Sequence, residues 1–134
     1  MKRLPSCAFT RLMILGACLL FMPLPAASAD SPVTLDRLVF ARGVQSREPV
    51  GAAREFEAAV SRVFCWTKLS AKNPPATVRH VWYKEGQKLL EVPLTVNHSS
   101  GRYWSVKQVS PGNWTVEVVD ASGEVFGAAS FKVK

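Results

Sequence analysis

RYWSVKQVSPGNWTVEVVDASGEVFGAASFKVK, running from Arg102 to Lys134, decides how the rest of the chain is read. Ser110-Pro111-Gly112 and Ala121-Ser122-Gly123 are turn signals that divide it into three runs of strand length. Those runs are Arg102 to Val109, Asn113 to Asp120 and Val125 to Val133. In the middle run Trp114, Val116 and Val118 point one way and Thr115 and Glu117 the other, the period of two of a half-buried strand. A ribbon of this kind cannot bury Trp114 by itself, so the upstream chain must supply a second layer.

Working outward, Val33 to Val44 reads as a strand with Leu38 and Phe40 on one side, and Gly43 marks its end or a bulge. Pro49 pushes Glu48 out of the helical region, and Gly51 to Phe56 is expected to make one helical turn. Ala58 to Leu69 is the most apolar run, and Val60, Val63, Phe64, Cys65 and Trp66 load both of its faces. That pattern predicts a central strand covered on each side. Asn73-Pro74-Pro75 breaks the chain before Val78, His80 and Trp82 line one face of the next strand. Glu85-Gly86 turns it back into Lys88 to Val96, where Pro93, having no N–H to donate, predicts an edge strand or a bulge. Turn signals every 8–12 residues or so predict an all-β fold, a single immunoglobulin-like antiparallel β-sandwich of about seven strands. Trp82, Trp114 and Cys65 are its expected structural core.

The N-terminus reads as an address. Lys2, Arg3 and Arg11 precede the apolar run Leu12 to Leu24, and Ala27-Ser28-Ala29 supplies small residues for a signal peptidase. Residues 1–29 are expected to be a signal peptide cleaved before Asp30, and residues 30–134 the sandwich domain, in the periplasm or secreted. The alternative is a lipoprotein: Leu15-Gly16-Ala17-Cys18 resembles a lipobox and would leave an acylated Cys18. The run continues apolar beyond Cys18 and is broken by Pro23 and Pro25, which disfavours both lipidation and a retained membrane anchor. Removing 29 of the 134 residues leaves 105, with 14 basic and ten acidic side chains. The net +4 is spread without a basic run, which argues against nucleic acid as a partner and leaves membrane contact to the N-terminal segment.

Cys65 is the one cysteine downstream of the signal, so no internal disulfide braces the domain. A nucleophile–base pairing of Cys65 with His80 or His98 has no third orienting group in view, and a buried inert thiol is the plainer reading. Ser105 and Lys107 lie on one face of a strand, a spacing that a Ser/Lys dyad uses and that ordinary exposed strands share. No C-x-x-C or H-x-x-x-H spacing points to a metal, and no cofactor is expected. The remaining candidate is a surface. Trp104 shares a strand face with Arg102 and Val106, and the other face offers Tyr103, Ser105 and Lys107. A ring beside cationic and hydroxyl groups suits a sugar or a partner protein. The plainer alternative has Trp104 completing the core while Arg102 and Lys107 solubilise an edge.

Several segments together resemble the bacterial envelope family known as domain of unknown function 2914. They are Arg47-Glu48-Pro49, Arg62 to Leu69, Val78-x-His80-x-Trp82 with Gly86, and Arg102-x-Trp104-Ser105-x-Lys107. Gly112-x-Trp114 through Asp120, with Gly123 and Phe131, completes the set. The chain departs from the family pattern at Cys65, where aromatic residues are usual. The resemblance implies an exported β-domain and no activity. The expected function is a non-catalytic interaction module of the cell envelope that binds another envelope protein. The alternatives are a module for glycan or peptidoglycan and, further off, a Cys- or Ser-dependent enzyme.

Overall fold

Among residues 32–134, which the computed structural model describes, ten strands follow one another without a helix. They are β1 (Val33–Ala41), β2 (Gly43–Gln45), β3 (Glu48–Val50), β4 (Glu55–Phe56) and β5 (Arg62–Ala71), then β6 (Ala76–Lys84), β7 (Gln87–Val96), β8 (Ser100–Gln108), β9 (Gly112–Asp120) and β10 (Val125–Val133). The seven long ones fall on the seven alternating runs of the sequence. Residues 1–31, with the signal peptide, Cys18 and the expected cleavage point, lie outside the described residues.

Two layers form. One is the three-stranded sheet β1-β5-β8, the other the five-stranded sheet β4-β10-β9-β6-β7. All long-strand pairings are antiparallel. Counting long strands alone, the first, second and fifth face the fourth, third, sixth and seventh. This is an immunoglobulin-like sandwich in which the fourth strand has moved to the opposite sheet. β7, with Pro93, is the edge strand that the missing N–H requires. Glu85 and Gly86 both have positive φ, 48° and 80°, as a two-residue hairpin turn between β6 and β7 demands.

One upstream expectation changes. The segment expected to make a helical turn instead ends in β4, which pairs parallel with Lys132–Val133 of β10. The amides of Lys132 and Lys134 donate to the carbonyls of Arg54 and Phe56, at 2.8 and 2.9 Å. Phe56 is thereby buried edge-on against Phe131, and this burial outweighs local helical preference. β5 is central and covered on each side, as expected, its outer face by the small β2–β3 hairpin.

The interior has two apolar ends. At one, Phe131 contacts Phe40, Phe56, Trp82 and Trp114 at ring-centroid distances of 4.5 to 6.1 Å, with Cys65, Val63 and Val116 around them. At the other, Val33, Leu69, Ala71, Val78 and Val96 close the sandwich. Trp82, Trp114 and Cys65 are each 0–1 % exposed.

Candidate functional site

Between the two apolar ends runs a buried chain of polar side chains. On β5 Thr67 lies between Cys65 and Leu69, on β6 His80 lies between Val78 and Trp82, and Ser105 faces them from β8. All three are buried. The proton order follows from which groups can only donate or only accept. The Tyr103 carbonyl only accepts, so Thr67 Oγ1 donates to it at 2.7 Å. Thr67 Oγ1 must then accept from His80 Nε2–H, at 3.2 Å. The Trp82 indole N–H only donates, and it donates to Ser105 Oγ at 3.1 Å. Ser105 is left to donate its own proton to His80 Nδ1, at 2.7 Å. Every member is satisfied, and the chain ties β6 of one sheet to β5 and β8 of the other. Burial lowers the His80 pKa to about 4, so the imidazole is neutral, as this network requires.

Ser105 and His80 thus have the distance of a nucleophile and its base, but not the setting. A hydroxyl rather than a carboxylate holds the second ring nitrogen, and both residues are closed off between the sheets. Burial pushes the Cys65 thiol up, well away from the thiolate that a nucleophile needs. Lys107 points inward over the Trp114 ring, 5.8 Å from its centroid, and donates to the Gln108 carbonyl. Tyr103 also points inward: it packs against the second apolar cluster, and its hydroxyl accepts from the Asn97 amide at 3.2 Å. The four residues singled out as a binding set are therefore divided by the pleat, with Tyr103 and Lys107 on the inner face and Arg102 and Trp104 on the outer. Among the described residues no group of three or more His, Cys, Asp or Glu side chains is placed to hold a metal ion.

The outer face of the three-stranded sheet is ordered in rungs, because residues paired across strands project to the same side. Arg37, Lys68 and Arg102 stand side by side across all three strands. The next rung is Val39, Trp66 and Trp104, and the one after it Ala41, Phe64 and Val106. Trp66 is fully buried there, with the Arg37 guanidinium over its ring at 5.6 Å. Trp104 is half-buried and Val106 is 40 % exposed.

The β2–β3 hairpin folds onto this face. Its turn residues Ser46 and Arg47 both have positive φ, 50° and 63°. The Trp66 indole donates to the Arg47 carbonyl at 2.8 Å and pins the turn to the sheet. The hairpin also brings Glu48 to Arg102, at 2.9 Å. Beside the turn, Arg47, Lys68, His98, Ser100, Gly101 and Arg102 line a cavity of about 370 Å³. Of the cations that line it, Arg102 alone belongs to the binding set expected from the sequence. Lys68 carried a usable signal, two residues from Trp66 and hence on its face. Arg47 carried none, since Ser-Arg is not the Asn-Gly or Asp-Gly that marks such a turn.

Residues 75–133 match the profile of DUF2914, described as a protein of unknown function. The chain resembles that family. The DUF2914 match takes in β6 to β10, that is, the larger sheet apart from β4, together with β8. It is narrower than the segments that suggested it: Arg47-Glu48-Pro49 and the β5 segment lie upstream of the matched residues. No curated protein matches the chain.

Proposed function

We propose that this protein is an exported, non-catalytic interaction module of the bacterial cell envelope, and that it binds another envelope protein through the outer face of the β1-β5-β8 sheet. The observation that carries the proposal is the pair of adjacent rungs, Arg37-Lys68-Arg102 and Val39-Trp66-Trp104. They place the cationic rung next to the half-buried Trp104 ring, with Trp66 buried beside it, and Arg and Trp are residue types that concentrate binding energy at interfaces. The groups suited to catalysis support the same reading, since Ser105, His80 and Cys65 are all occupied in holding the core together. A photo-crosslinking residue in place of Val106, compared with one in place of Ser130 on the other sheet, tests it in the living cell. A defined protein adduct from position 106 and none from 130 is the expected result. No adduct from position 106 would remove the proposed face.

A second reading is favoured by Trp104, which lies half-buried beside the cationic rung. A tryptophan face next to a guanidinium suits an acidic sugar, and peptidoglycan is such a ligand. Retention of the protein on purified sacculi, abolished in Trp104→Ala, is the expected result on this reading. Equal retention of both forms removes it.

A further inference from the structure

We propose that the cavity between the β2–β3 turn and β8 is an oxyanion subsite, built to take one carboxylate or phosphate group from the ligand of this face. Three features of the molecule point there. First, Lys68 and Arg102, which both line the cavity, are directly opposed across β5 and β8, and like charges in that relation work against folding. A negative group lying between them removes the penalty. Among the described residues the one carboxylate paired with the cavity's cations is Glu48, on Arg102, and Lys68 and Arg47 pair with none.

Second, Arg47 occupies a left-handed backbone position that favours glycine, and holds it at a conformational cost. Its carbonyl does the structural work by accepting from Trp66, and any residue supplies a carbonyl. The side chain lines the cavity, where its guanidinium donates to the Arg102 carbonyl at 3.4 Å. The fork has further donors to offer a ligand there, which glycine, the residue this backbone favours, would lack.

Third, the lining is of the residue types that take an oxyanion. Arg47, Lys68, Ser100 and Arg102 border a space of about 370 Å³, enough for one carboxylate- or phosphate-bearing group. The pairing of Arg102 with Glu48 is solvent-exposed, 41 % and 49 % for the two side chains, and such a pair exchanges readily for an incoming anion.

The inference rests on the proposed binding face, and the test keeps the two apart. Purified protein is titrated calorimetrically at low ionic strength with glucuronate, glucose 6-phosphate and glucose. Saturable one-site binding of at least one anionic sugar is expected, with glucose weaker by about ten-fold or more, the difference one charge-assisted hydrogen bond makes. The stronger of the two anions identifies the source as carboxylate or phosphate. Arg47→Gly is expected to weaken binding by a similar factor while its Tm stays level or rises, which a purely structural arginine would not do. Lys68→Gln, away from the turn, is expected to weaken binding as well. Anions that bind no better than glucose, or unchanged affinity in both variants, would overturn the subsite. If the partner adduct at position 106 persists in the Arg47→Gly, Lys68→Gln double variant, the binding face stands and the subsite falls.

Discussion

His80 is neutral because its ring is enclosed between the sheets, and that enclosure makes the protein sensitive to acid. Its folded pKa of about 4 lies below the ordinary histidine value of about 6.5. The unfolded chain therefore takes up a proton first as pH falls, and stability present above pH 6.5 or so is lost down to about pH 4. A shift of that size corresponds to roughly 3 kcal/mol. Urea unfolding at pH 7.5 and pH 4.5 is expected to show a loss of that order, and His80→Gln a much shallower one. Cys65 belongs at the same scale. With burial raising its pKa and no exposed surface, it is expected to resist a thiol reagent in the native protein and to react fully in denaturant. Trp82 and Trp114 both pack on Phe131, so truncation to alanine leaves a large cavity. Each is expected to cost about 3–5 kcal/mol in denaturant midpoint analysis.

The turns carry different loads at the scale of single elements. The β9–β10 connection is organised by Asp120, whose Oδ1 accepts from the Ser122 hydroxyl at 2.6 Å and from the amides of Ser122 and Glu124. The Ser122 hydroxyl is the chief cause that holds the Asp120 carboxyl below its ordinary value, with the turn amides adding to it against the effect of burial. Asp120→Ala is expected to destabilise by about 1–3 kcal/mol, measured by denaturant unfolding, because several donors lose a charged acceptor together. The β2–β3 turn behaves in the opposite sense. Arg47→Gly relieves a left-handed residue and is expected to stabilise the fold by about 1 kcal/mol. A gain in stability joined to a loss of anion binding is what distinguishes a turn shaped for its ligand from one shaped for the fold.

Across the whole molecule, the three-stranded sheet is assembled from distant parts of the sequence. β1 pairs with β5, and β5 pairs with β8, each across more than two intervening turns. Such pairings must close long loops before they contribute, so refolding followed by tryptophan fluorescence is expected in the range of milliseconds to seconds. The chain of hydrogen bonds through Thr67, His80 and Ser105 forms only when both sheets are in register, and it makes that register unique.

The seven long strands, the edge position of β7 and the inward indoles of Trp82 and Trp114 were legible in the sequence. Each depends on the alternation of side chains along one strand or on the chemistry of one turn, and both are local. The parting of Tyr103 and Lys107 from Arg102 and Trp104 was legible for the same reason, since neighbours on a strand face opposite ways. The pairing of β4 with β10 and the folding of the β2–β3 hairpin over Trp66 were not legible, because two- and three-residue strands carry no period. Nor was the cationic rung. Arg37, Lys68 and Arg102 lie more than thirty residues apart from one another along the chain, and no pattern within any one strand relates them. Sequence alternation determines which face a side chain takes. Only the packing of the two layers fixes how strands slide against one another, and that sliding decides which cations meet.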